Sequence, residues 1–163
     1  MDEIAGAQEQ FCREQYARLV GSLALYTGDR EVAEDLAHEA LARALTAWPR
    51  VAAARSPGAY VQRIAFNLAH RHFRRASQPV KHPPREGAAD AIANIPLRVD
   101  LHRAVAQLPR RQREALLLRY VADLSIKDAA AVLRCRPGTV QSLCHQGLTS
   151  LRSSALLADR NER

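Results

Sequence analysis

Hydrophobic residues recur along this chain at three- and four-residue intervals, the period of a helix with one buried face. Phe11, Tyr16, Leu19, Val20, Leu23 and Tyr26 fall near such a stripe and predict a helix over 8–27. Gly28 ends it, since glycine adopts the left-handed cap at no steric cost, and Asp29 offers a carboxylate to cap the next helix. That second helix, over 30–47, is expected to bury Val32, Leu36, Ala40, Leu41 and Leu45, with Pro49 closing it. Residues 48–55 read as a loop. Ser56 and Pro57 then supply an N-cap oxygen and a first-turn proline, which start a third helix over 57–75. Its inward positions are Tyr60, Val61, Ile64, Ala65, Leu68 and Phe73.

Periodicity fades over 76–97, where Pro79, Pro83, Pro84, Gly87 and Pro96 mark a flexible linker stiffened locally by proline. Fully extended, a segment of that length reaches roughly 70 Å. The helical pattern resumes at 98, with a short helix over 98–107 and a second over 109–121 that carries Ala115, Leu116, Leu118 and Val121. Ser125 to Asp128 has the form of a capping box and starts a helix over 126–133. A turn over 134–137 leads to a last helix over 137–152. Two short helices across a tight turn define a helix-turn-helix. Val140, Cys144, Gly147, Leu148 and Leu151 form the inner stripe of its second helix. The opposite face presents Thr139, Gln141, Ser142, His145, Gln146 and Thr149, polar groups of the kind that read base edges in a major groove. The expected fold is all-α: two small helical domains, 1–75 and 98–163, joined by the linker 76–97, the second a helix-turn-helix.

Charge sharpens this picture. The chain holds 24 Lys+Arg against 17 Asp+Glu over 163 residues, a net +7. Residues 98–163 carry 12 basic and 6 acidic side chains, so most of the excess lies there and favours a polyanionic partner. Within the first domain, Asp29 to Glu39 holds five acids and one arginine, whereas Arg55 to Arg75 holds five arginines and no acid. These two helices either neutralise each other or form two docking faces of opposite sign. Lysine accounts for only 2 of the 24 basic residues, a bias that fits a GC-rich genome.

Other classes find little support. No apolar run reaches the ~18–20 residues of a membrane span, and Asp2, Glu3, Glu9, Arg13 and Glu14 interrupt any signal-peptide core, so no membrane insertion is expected. Three cysteines without framework spacing point to a reducing cytoplasm. Cys135, Cys144 and His145 lack a usual zinc spacing and an obvious fourth ligand. No nucleotide-binding loop, nucleophile elbow or paired-carboxylate motif occurs. No enzyme, cofactor or metal is expected.

Four segments together resemble a known family: GDREVAEDLAHEAL (28–41), SPGAYVQRIAFNLAHRHFRR (56–75), LPRRQREALLLRYVADLSIKDAAAVL (108–133) and PGTVQSLCHQGLTSLR (137–152). In this order, around a proline-containing linker, they resemble the extracytoplasmic-function sigma factors, small bacterial transcription initiation factors. The resemblance implies core RNA polymerase and promoter DNA as partners, with an anti-sigma factor as a further one. It implies that Asp35, Leu36 and Glu39 dock on core polymerase. It places Arg55, Arg63, Asn67, Arg71, Arg74 and Arg75 at the −10 element, with the loop 48–55 at the site that captures a flipped base. It places Arg134, Arg136, Thr139, Gln141, Ser142, His145 and Gln146 at the −35 element. Two departures stand out. No Lys or Arg lies between Pro137 and Leu151, where Gln141, Leu143 and Gln146 replace the family's basic residues, and Phe66 replaces a common arginine. Two rivals share the motifs: a helix-turn-helix regulator acting without polymerase, and an interaction protein that keeps the fold without initiating transcription.

Overall fold

The computed structural model describes residues 1–76 and 96–161, with side chains described over 1–76 and 101–154. The linker expected at 76–97 lies, apart from Ala76, Pro96 and Leu97, outside the described residues. Among the described residues every regular element is a helix.

Helix α1 spans Asp2–Thr27 and starts six residues before the expected position 8. Gly28 caps it at φ 77°, its N–H bonding the Ala24 carbonyl. Asp29 then caps α2, Arg30–Thr46, by accepting from the Val32 N–H at 3.2 Å. The expected loop is corrected here: Trp48–Ala53 forms a one-and-a-half-turn helix, α3, with Pro49 in its first turn. Proline closes a helix from inside but suits the start of one, since its missing N–H is an unpaired donor there anyway. Val51 is fully buried, and the Trp48 ring meets Phe11 edge-on at 5.4 Å. Helix α4, Pro57–Ala76, begins at Ser56, whose hydroxyl accepts from the Ala59 N–H at 3.2 Å. Leu19, Leu23, Ala33, Leu36, Ala37, Val61, Ala65 and Leu68 fill the core among α1, α2 and α4. Small alanines let α1 and α2 approach closely, which suits an antiparallel pair joined by two residues.

Helix α5 is Pro96–Gln107, and α6 is Arg110–Leu116. A five-residue π-helical turn, Leu117–Val121, continues α6. Asp123 at φ 56° breaks the helical run, and α7, Ile126–Leu133, and α8, Pro137–Asn161, follow. Ala115, Leu116, Leu118, Ala129, Ala130, Leu133, Val140 and Cys144 form the core of this second unit.

The two units meet. Glu114 of α6 is 2% exposed, and three polar groups converge on its Oε1. The Tyr26 hydroxyl donates at 2.9 Å, His70 Nε2 lies at 2.6 Å, and Arg110 Nε donates at 3.0 Å. Tyr26 and His70 belong to α1 and α4, so this buried carboxylate is satisfied largely from the other unit. The Arg113 guanidinium stands over the Tyr26 ring, 5.6 Å from its centroid. Gly21 faces Val121, and Arg55 reaches Asp128 at 3.3 Å.

Candidate nucleic-acid interface

The helix-turn-helix follows from its caps. Ser125 Oγ accepts from the Asp128 N–H at 3.0 Å, which fixes the start of α7 at the residue its sequence predicts. Arg134 takes the left-handed cap at φ 53°, and the Cys135 N–H reaches back to the Ala130 carbonyl at 3.1 Å. Val140 and Cys144 then point inward with Gly147, as their spacing predicts. The face opposite is open to solvent: Thr139, Gln141, Ser142, His145 and Gln146 are all exposed, and Arg134 and Arg136 flank them, also exposed. Gln146 is partly engaged, accepting from Gln112 Nε2 at 3.3 Å. Leu143 is half-buried against the core. Burial pushes the Cys144 thiol above its ordinary range, which makes it an apolar packing group rather than a nucleophile.

Gly147 has a reason that its sequence position alone does not reveal. A Cβ built there would lie 2.7 Å from Leu116 Cδ1, closer than real side chains approach. The glycine lets α6 sit directly on α8.

On α4, Arg63, Asn67, Arg71, Arg74 and Arg75 are exposed. Their steps of four, four, three and one residues place them along one side of the helix. No acid pairs with these four arginines among the described residues, so the stripe keeps its positive charge. Phe66 lies off that stripe. It is 3% exposed, with its ring 5.2 Å from Tyr26 in an edge-on contact, so its replacement of arginine alters packing between helices rather than the exposed row. Arg55 sits at the foot of α4, 62% exposed, opposite Asp128.

The acidic helix α2 does not spend its charge on α4. Glu34 pairs with Arg30 at 3.0 Å and Glu39 with Arg43 at 2.6 Å, both one turn away on α2 itself. Asp35 is exposed and without an ion pair among the described residues. Leu36, between them in sequence, is 8% exposed and packs inward, so Asp35 and Glu39 form the surface while Leu36 supports it. The two helices are thus separate faces of opposite sign.

The Glu114 cluster escapes sequence reasoning. Its one signal is that Glu114 is the single acid between Leu101 and Ala122 and directly precedes a run of apolar residues. Burial, then the charge of Glu114, raises the Tyr26 phenol well above its ordinary range, against the opposing pull of Arg110 and Arg113. The hydrogen bond to Glu114 holds Arg110 still more firmly charged.

A chain whose acidic and basic helices diverge, and whose second unit displays a polar helix-turn-helix face, has the anatomy of a two-module transcription factor. The family profile described as Sigma-70 region 2 matches residues 12–78, and that described as Sigma-70, region 4 matches residues 98–151. The chain belongs to the sigma-70 family. Within it, the likeness runs to the extracytoplasmic-function branch. The chain is 32% identical over 143 residues to the ECF RNA polymerase sigma factor SigC of Mycobacterium tuberculosis, covering 82% of this chain and 73% of that one. It is 27% identical over 161 residues to the RNA polymerase sigma-E factor of Streptomyces coelicolor, covering 95% and 89%. Its fold matches the sigma factor RpoE of Bartonella quintana, solved in complex with the anti-sigma factor NepR. That match has a TM-score of 0.72 at 20% identity and covers 95% of this chain and 98% of that one.

Proposed function

We propose that this chain binds core RNA polymerase in the cytoplasm and directs it to promoters, acting as a specificity subunit rather than an enzyme. The observation that carries this reading is the division of charge between α2 and α4 on a chain with both sigma-70 regions. A DNA-binding regulator needs a basic face alone. An initiation factor needs a second face for a protein machine, and exposed, unpaired Asp35 with Glu39 provides one. Arg55, Arg63, Asn67, Arg71, Arg74 and Arg75 then engage the −10 element. Arg134, Arg136, Thr139, Gln141, Ser142, His145 and Gln146 engage the −35 element. Phosphate contacts from the arginines set register, and the planar amides and short hydroxyls read base edges. Glutamine suits adenine, so the −35 site is expected to be rich in A·T pairs. An anti-sigma factor is the regulator that kinship with the complexed RpoE supports.

Asp35→Arg tests the assignment. The variant is expected to lose co-elution with core polymerase while the free chain keeps its affinity for duplex DNA. Retained core binding would contradict the role of α2. The absence of Lys and Arg from Pro137 to Leu151 favours one rival, an interaction protein that no longer reads DNA. Holoenzyme binding to a promoter that is indifferent to loss of Arg134 and Arg136 would support that rival.

A further inference from the structure

An apolar trough runs between α1, α5 and the π-helical turn, with a volume of about 450 Å³. That volume lies in the range of small-molecule sites and holds about fifteen heavy atoms at ~30 Å³ each. One stripe of α1 forms its length, since Tyr16, Val20 and Ala24 follow one another at intervals of four residues. At ~1.5 Å per residue that stripe extends ~12 Å. Leu101 of α5 and Val121 of the π-helical turn line the trough as well. Leu101 is 48% exposed, and Val20 and Val121 are only half-buried, so this apolar lining stands open to water.

The polar groups gather at one end. His102 stands at the joint between α1 and α2, where a Cβ built on Gly28 would lie 3.2 Å from its Cε1 and 3.5 Å from its Nε2. Arg30 opens α2 two residues beyond that glycine and lines the same trough. Arg30 gives its Nε to Glu34 at 3.0 Å, and its terminal nitrogens have no acceptor among the described residues. His102 makes no hydrogen bond or ion pair among the described residues. None of the residues lining the trough is an acid. At the far end the Tyr16 ring rests against His38, with centroids 5.1 Å apart.

Apolar walls, a single cationic end and a long, narrow floor together select one chemistry. A hydrocarbon chain fills the stripe, and a carboxylate at its end meets a guanidinium fork and an imidazole donor. A flat ring system matches a floor one helix wide less well. We infer that the trough is a binding site for an unbranched carboxylic acid of about ten carbons, its tail along Tyr16, Val20 and Ala24 and its head between Arg30 and His102. None of these residues belongs to the proposed DNA or polymerase contacts. The site therefore adds a small-molecule ligand to the protein's partners and is independent of the sigma-factor reading.

Decanoate is the probe, titrated by calorimetry into the full chain below its micellar concentration, with octanoate, tetradecanoate and decanol for comparison. The wild-type chain is expected to bind one equivalent saturably. Each methylene removed is expected to weaken binding about two- to fourfold, and carbons added beyond the length of the trough are expected to gain nothing. Decanol, which lacks the charge, is expected to bind about tenfold more weakly. Ala24→Phe fills the trough and is expected to abolish binding with the helical circular dichroism unchanged. Arg30→Gln combined with His102→Gln, both at the rim, is expected to reduce decanoate to the affinity of decanol and to leave decanol unaffected. The inference is overturned if the wild-type chain shows no saturable binding, if it binds decanoate and decanol equally, or if a folded Ala24→Phe chain binds as the wild type does. Should Ala24→Phe fail to fold, the double glutamine variant decides, because undiminished decanoate binding there places the acid elsewhere.

Discussion

Gly147 shows how one residue carries information that periodicity does not. In helix propensity alone, alanine there would gain about 1 kcal/mol. The 2.7 Å approach of Leu116 Cδ1 reverses the sign. Gly147→Ala is expected to lower stability by about 1–2 kcal/mol, the usual cost of overpacking, as measured by urea unfolding. A gain in stability would mean that α6 yields easily. Tyr26 makes a second case. Its raised pKa means that folding favours the neutral phenol. That contribution is complete below the ordinary tyrosine value of about 10 and is lost as pH climbs toward the higher folded value. Unfolding midpoints are therefore expected to fall above about pH 10, and to fall less in Tyr26→Phe. An identical alkaline decline in both proteins would remove Tyr26 from the linkage.

Elements whose signals are local were legible in the sequence. Ser125 and Asp128 set the start of α7, Leu133 and Arg134 its end, and Gly28 with Asp29 set the α1–α2 boundary. Each rests on a hydrogen bond within four residues, which a linear reading sees. Helix α3 is not legible in the sequence because Pro49 reads equally as a stop and as a first-turn residue, and only Val51 packing inward decides between them. Leu36, which its spacing places on the buried stripe of α2, is 8% exposed and faces inward as that spacing predicts. The recognition helix yields a prediction at this scale. Its exposed face is uncharged, so in the proposed function its phosphate contacts fall to the flanking Arg134 and Arg136. Gln141→Lys with Gln146→Arg is expected to tighten DNA binding and to steepen its salt dependence by about 1 in log–log slope per added phosphate contact. Unchanged slope would show that this face does not lie against the duplex.

At the scale of the molecule, the sequence separates two charged modules but does not say how they dock. Docking depends on Tyr26, His70 and Glu114, which are 88 and 44 residues apart along the chain and share no motif. The charge asymmetry of α2 and α4, by contrast, survives folding, because Glu34 and Glu39 pair along α2 itself and not with the α4 arginines. In the proposed function, that asymmetry joins a polymerase face and a DNA face in one chain. The most direct measurement is transcription in vitro by core RNA polymerase from a pool of bacterial promoter fragments, with and without this protein. Added protein is expected to produce transcripts from a small subset of templates sharing two short elements, the upstream one rich in A·T pairs. No transcript above the core-alone level, together with failure to co-elute with core polymerase, would contradict the central claim.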